Sequence, residues 1–207
     1  MRSFDLWLIV FVVVFLLPTS SWAAATLTAT QIVGSVKFDG HGLKTGDSID
    51  SEGTIEVASD GHSLADLKYP NGHQLRIKAG GQLKITNSGS LRLKSLALLR
   101  GQGFFHFIKN TDAQDFKIST KGAVAGVRGT KFQLEEKDGS TYLCVCEGEV
   151  QLTQTTGQAG QGSKLVHQGQ DLWAKPGQAL AEPRNSEQMS KMAEAEFASM
   201  NTAGGFL

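Results

Sequence analysis

LADLKYPNGHQLRIKAGGQLKI, residues 64–85, is the stretch that decides the fold. Leu64 to Tyr69 alternates weakly between apolar and polar side chains, Pro70-Asn71-Gly72 interrupts it, and Leu75 and Ile77 resume at period two. Pro presets the first dihedral of a turn, while Asn and Gly tolerate positive φ at the next positions. Gly80-Gly81 makes another break, after which Leu83 and Ile85 restore the alternation. A period of two punctuated by turn residues is the signature of short β-strands.

The same texture extends in both directions across a chain of 207 residues with 24 Gly and only 4 Pro. Asn87-Ser88-Gly89 turns into Leu91-Arg92-Leu93, and a denser apolar run covers Leu96 to Leu99. Beyond Gly101 and Gly103, Phe104-Phe105-His106-Phe107-Ile108 is apolar on nearly both faces, which predicts a central, well-covered strand. Phe116 with Ile118, Val124 with Val127, and Phe132 with Leu134 mark further strands. Asp138-Gly139 is a hairpin signal, and Glu147-Gly148 reads as a second hairpin turn between Tyr142–Cys146 and Val150-Gln151-Leu152. A polar loop over 153–163 follows, then closing strands at Leu165-Val166 and Leu172-Trp173.

After Pro183 the period changes. Met189, Met192, Phe197 and Met200 fall near helical spacing, with Asn185 or Ser186 as N-cap, and their stripe reads as core rather than as a cofactor site. The expectation is an all-β domain over residues 26–184, with short strands in a coiled or two-layer arrangement, and a short C-terminal helix and tail over 185–207.

Residues 1–25 read as an export signal. Arg2 precedes an apolar run from Leu6 to Leu17, and Ser21-Trp22-Ala23 with Ala24 and Ala25 offers small-residue cleavage sites. The run is short of the roughly 20 residues that span a bilayer. Cleavage after Ala23 or Ala25 is the expectation, and an uncleaved anchor is the alternative. Arg2 and Asp5 are the only charges removed with the leader, and the whole chain balances 20 basic against 20 acidic residues. Such neutrality lacks the electrostatic footprint of a nucleic-acid binder, and no polybasic block suits an anionic membrane.

Few residues invite chemistry. Arg128-Gly129-Thr130 offers Arg128 as a contact, with Gly129 allowing a tight bend and Thr130 bonding nearby backbone. Glu147 is a lone carboxylate beside Gly148. Cys144 and Cys146 are the only cysteines, and on a strand they share the face opposite Leu143 and Val145. Same-face neighbours lie roughly 6.5–7 Å apart, at the limit of a disulfide, so an internal bridge needs a bulge or distortion. Buried thiols, an internal or intermolecular disulfide, and a soft-metal site all stay open, although structural zinc wants four ligands and the five histidines show no ligand spacing. No hydrolase or metalloprotease motif occurs, and no cofactor is expected.

The order Gly34-Ser35-Val36, Gly46-Asp47, Pro70-Asn71-Gly72, Leu99-Arg100-Gly101, Phe116-Lys117-Ile118-Ser119-Thr120 and Val127-Arg128-Gly129-Thr130-Lys131-Phe132, closed by Cys146-Glu147-Gly148-Glu149-Val150 and Gln168-Gly169-Gln170, resembles the FecR domain of periplasmic sigma-factor regulators. The resemblance runs from about Val33 to about Trp173 and is most specific at Arg128-Gly129-Thr130 with Phe132, and at Glu147-Gly148. It implies a compact coiled or β-helix-like module outside the cytoplasm. Only Met1 to Asp5 precede the apolar run, too little for a cytoplasmic anti-sigma segment, so that role is not carried over. The expectation is a non-enzymatic periplasmic or secreted module that binds a protein or a cell-envelope polymer, with no stable membrane insertion after cleavage. The alternatives are a signalling component acting in trans on a sigma-factor system, and a redox or metal protein built on Cys144 and Cys146.

Overall fold

The computed structural model describes residues 26–87, 94–109, 116–155 and 162–203. The export signal, Leu91-Arg92-Leu93 and most of the polar 153–163 loop lie outside the described residues. In chain order the strands are β1 (Leu27–Val33), β2 (Val36–Phe38), β3 (His41–Gly42), β4 (Ser48–Ile49), β5 (Gly53–Val57), β6 (Leu64–Lys68), β7 (Gln74–Lys78), β8 (Gln82–Asn87) and β9 (Lys94–His106). They continue as β10 (Phe116–Ser119), β11 (Ala123–Val127), β12 (Lys131–Lys137), β13 (Ser140–Glu147), β14 (Glu149–Gln154), β15 (Ser163–His167), β16 (Gln170–Ala174) and β17 (Arg184–Asn185), before helix α1 (Glu187–Ala203).

The opening stretch folds as read. Gly72 N–H donates to Tyr69 O at 2.9 Å and closes the β6–β7 hairpin, whose register pairs Leu67 with Leu75 and Ala65 with Ile77. Leu75, Ile77, Leu83 and Ile85 are all buried. Asp138 and Gly139 both adopt positive φ, as a two-residue hairpin requires, and β12 pairs directly with β13.

The chain winds between two layers. One sheet runs β4-β1-β6-β7-β9-β12-β13-β16-β17, and we call it the covered sheet because α1 lies on its outer face. The other, the open sheet, runs β3-β2-β5-β8-β9-β10-β11-β14-β15, with β9 and β10 parallel and every other pair antiparallel. Neither sheet closes into a barrel. The result is the coiled two-layer all-β body expected.

Three expectations change in detail. First, Gly101 does not separate two strands: β9 is one strand that pairs with β8 and β10 up to Arg100 and with β7 and β12 from Gly101 onward. Gly101 has φ +81, and a Cβ there would lie 2.6 Å from Gly81 Cα, so glycine permits both the bend and the approach of two backbones. Second, Glu147-Gly148 is a corner and not a hairpin turn. It carries the chain from β13 in the covered sheet to β14 in the open sheet, as Gly169 carries β15 to β16. Third, the buried side of α1 is Ala193, Phe197 and Met200, whereas Met192 is 60% exposed. Met192 is one residue, and so about 100° around the helix, from the stripe that docks.

Between the layers Phe105 stacks on Phe132 at 5.3 Å, Phe107 meets Phe116 at 4.1 Å, and the His73 ring stands edge-on to both Phe107 and Phe116. Each buried Phe contributes about 1.5–3 kcal/mol relative to exposure. Phe104 points the other way, beneath α1, which is why both faces of this segment are apolar. Among the described residues, no helix is long and apolar enough to cross a membrane.

Candidate functional site

The residues singled out by motif converge on one corner of the sandwich. Arg128-Gly129-Thr130 leads the chain from β11 in the open sheet to β12 in the covered one, and Glu147-Gly148 brings it back. The two corners touch: a Cβ on Gly148 (φ +83) would lie 2.9 Å from Thr130 Cγ2 and 3.0 Å from Gly129 O. A Cβ on Gly129 (φ +64) would lie 2.6 Å from Lys109 Cβ. Lys131 and Glu147 stand opposite in register, with an ion pair at 2.5 Å that holds the Glu147 carboxyl below its ordinary range.

Thr130 and Phe132 serve the same joint. The Thr130 carbonyl accepts the Phe107 N–H at 2.9 Å, and Phe132 is fully buried. The expected side-chain bond from Thr130 to backbone is not made, since its buried Oγ1 has no partner among the described residues. It is the Thr130 methyl, Cγ2, that the corner seats against Gly148. Gly129, Thr130, Phe132 and Gly148 therefore build the corner, Thr130 and Phe132 buried within it, while Arg128, Glu147 and Gly148 are exposed.

Cys144 and Cys146 are free and buried. They face away from Leu143 and Val145, as strand alternation demands, and Cys146 packs with Phe104, Ala193, Phe197 and Met200 beneath α1. Cys146 and Tyr142 hold the Cys144 thiol below its ordinary range against the opposing effect of burial, while the Cys146 thiol is pushed up by Cys144 and by burial. Tyr142 in turn donates to Asp171 at 3.1 Å. Among the described residues no group of three or more His, Cys, Asp or Glu side chains is placed to hold a metal ion.

These thiols belong to a row that crosses the covered sheet: Asp66, Arg76, Phe104, Gln133, Cys144, Asp171 and Arg184 are consecutive register partners. Arg76 forks onto Asp66 with two bonds of 2.6 Å and reaches Glu196 of α1 at 2.8 Å. Lys78 joins the same carboxylate at 2.7 Å. Burial alone would raise the Glu196 carboxyl, but bonds from Lys78 and Arg76 hold it below its ordinary range. Sequence reasoning missed this latch. Asp66 and Arg76 occupy polar positions of an alternating pattern and read there as solvent-facing.

The matching row of the open sheet is Thr54, Lys84, Ala97, Ser119, Val124, Thr153 and Ser163. None of these is buried. Most are short, and their hydroxyls bond back into the sheet, Ser119 Oγ to Leu96 O at 3.3 Å and Thr153 to Ser163 at 3.0 Å. The face is consequently flat, with Leu99 and Leu165 exposed on its strands.

Residues 54–151 match the family model described as FecR protein. This FecR-type segment makes up just under half of the chain. The matched FecR segment begins in β5 and ends in β14, narrower than the span expected from the motifs. It includes the double corner and both cysteines, while β15 and α1 lie outside it. Two crystal structures of a candidate anti-sigma factor from Parabacteroides distasonis ATCC 8503 share the fold, with TM-scores of 0.53 and 0.55 at 15% identity. The match covers 65% and 69% of this chain and 60% and 64% of theirs, so the chain spans under two thirds of those structures. No curated protein matches the chain.

Proposed function

We propose that this chain is an exported, non-catalytic regulatory module of the cell envelope, which acts by binding a protein through its open sheet. The FecR domain and a fold like that of candidate anti-sigma factors support a regulatory role. The leader pattern of residues 1–25 supports export, to the periplasm or beyond.

One observation carries the reading. α1 lies on the outer face of the covered sheet, where six of the seven row residues are buried, whereas none of the flat row from Thr54 to Ser163 is buried. Three of the four outermost strands, β3, β4 and β17, have only two residues, but β15 has five. On β15 the His167 N–H bonds the Gln170 side chain at 3.0 Å instead of β14. By period two, Leu165 directs its own backbone groups off the sheet in the same way. Among the described residues no strand pairs with this outer edge of β15, and an edge of that length accepts an added strand. No aromatic side chain stands in the bare row to stack on a sugar, which favours a protein over a glycan polymer. Action in trans on a sigma-factor regulator is the form of this reading that the structural likeness favours.

Photo-crosslinkers placed singly at Val124, Leu165 and Met192 test it in cell-envelope extract. Adducts of one discrete mass from the first two positions but not from Met192 are expected. No adduct, or equal yields at all three, would overturn the reading. Export is checked separately by N-terminal sequencing of periplasmic protein, which should begin after Ala23 or Ala25.

A further inference from the structure

The thiol pair has a geometry that the fold itself does not require. Along β12, Lys131 pairs with Glu147 and the next residue, Phe132, pairs with Val145. Cys146 is therefore the extra residue of a β-bulge in β13. A bulge bends its strand and adds local twist, which is the distortion that a Cys-x-Cys bridge on a strand needs. Both cysteines are free, and both are buried on the side of β13 that faces away from Leu143 and Val145.

We propose that Cys144 and Cys146 are a reversible dithiol–disulfide site whose access is governed by α1. Both sulfurs are buried, and Cys146 lies directly under Ala193, Phe197 and Met200. An oxidant reaches them only when α1 lifts, and the helix is held by Glu196 on Arg76 and Lys78 and by the Phe104–Phe197 ring contact at 5.8 Å.

The oxidant is a second disulfide, of a small molecule or of a thiol oxidoreductase, as an oxidising compartment supplies. Cys144 is the attacking sulfur. The hydrogen bond from Cys146 lowers its pKa, against the opposing effect of burial, and Tyr142 adds to the lowering, while Cys146 is raised. The Cys144 thiolate forms a bond to one sulfur of the incoming disulfide, and the other sulfur leaves as a thiolate. Cys146 then gives up its proton, attacks the Cys144 sulfur and expels the second thiolate. One disulfide is made and one is reduced, and the two thiol protons end on the two departing groups. The new bond draws Cys146 toward Cys144 and alters the floor on which Phe197 and Met200 rest, so oxidation and docking of α1 are coupled.

The experiment equilibrates the reduced full chain with glutathione buffers of graded oxidised fraction and follows free thiols and intact mass. Loss of both thiols with a mass decrease of two hydrogens, and a Cys144–Cys146 bond in the peptide map, is expected. Glu196→Gln should speed oxidation roughly fivefold by weakening the anchor, as removal of a partly exposed ion pair allows. Met192→Ala, on the exposed side of α1, should leave the rate unchanged. Two free thiols throughout, a single trapped glutathione adduct or a disulfide-linked dimer would each overturn the site. Equal rates for Glu196→Gln and the parent would overturn control by α1. The parent protein alone decides the first question, so a variant that fails to fold does not hide the answer.

Discussion

The two outer faces are built on the same alternation and end in opposite states. Seven register partners cross each sheet. On the covered side Asp66, Arg76, Phe104, Gln133, Cys144 and Asp171 are buried, and only Arg184, beyond the helix, is exposed. On the open side none of the seven is buried. The inner faces are equally apolar, so the hydrophobic core does not set them apart. What differs is reach and demand. Arg76, Phe104 and Cys144 need a cover that supplies charge and apolar contact, and α1 provides both, whereas Ala97, Ser119 and Thr153 need none.

The strongest way to break this contrast is at the latch. Arg76→Ala leaves Asp66 buried without its partner and frees Glu196, and urea unfolding should show a loss of about 3–5 kcal/mol. The double variant Asp66→Leu with Arg76→Leu removes the uncompensated charge and should recover most of that loss. If the single variant were as stable as the parent, α1 would not depend on the latch.

Phe197→Ala comes next. It deletes the ring that meets Phe104 edge-on and opens a cavity above Cys146. The expected cost is about 3 kcal/mol, at the low end for a Phe truncation because the site is at the helix–sheet boundary. Faster labelling of the cysteines by a maleimide should accompany it. A stability loss without faster labelling would mean that α1 stays down.

Acid sharpens the same contrast, because the covered sheet also holds the histidines whose charge is disfavoured. Burial, with His106 nearby, lowers His73, and its Nδ1 accepts the Ile108 N–H at 3.1 Å. Burial and Lys131 lower His106. The unfolded chain therefore takes up these protons first, near pH 6.5. The stability they contribute is complete above that pH and is lost as pH falls toward the depressed folded values. The Tm should drop between pH 7.5 and 5.5, and His73→Gln should flatten the slope even if it lowers the plateau. A Tm that rises on acidification would contradict the burial of both rings.

How legible this was in the sequence depends on the kind of information asked for. Period two told which side chains share a face, so Leu75 with Ile77 and Phe132 with Leu134 were grouped correctly, as was the shared face of Cys144 and Cys146 opposite Leu143 and Val145. It carries nothing about which sheet a strand joins. Glu147-Gly148 and Asp138-Gly139 look alike as turns, yet one is a corner between layers and the other a hairpin, because the difference lies in Thr130 and Gly129 packing against Gly148 from elsewhere in the chain. Gly101 stands between two apolar runs for the same reason: its bend brings it against Gly81, twenty residues away in sequence, an approach that only glycine permits. The covered face was the least legible, since Asp66, Arg76 and Gln133 occupy the positions where an alternating strand ordinarily meets water. Their burial depends on partners that alternation does not show, Arg76 on Asp66 and Glu196 of the docked helix on Arg76.

The smallest expected effect is the one that tests the open face most directly. Val124 sits at the middle of the bare row, between Ser119 and Thr153 on the neighbouring strands. Val124→Thr keeps the β-branched shape that a strand favours and exchanges one methyl for a hydroxyl. Inside a core that exchange is costly, because the hydroxyl loses water without gaining a partner. On a face that meets solvent the hydroxyl stays hydrated, and the change should fall within about 0.5 kcal/mol in urea unfolding. A cost well above about 1 kcal/mol would mean that Val124 is covered in the folded chain and that the two faces are alike after all. With stability unchanged, a lower crosslinking yield from Leu165 in the Val124→Thr background would assign the methyl to the partner's footprint, since nothing else in the domain relies on it.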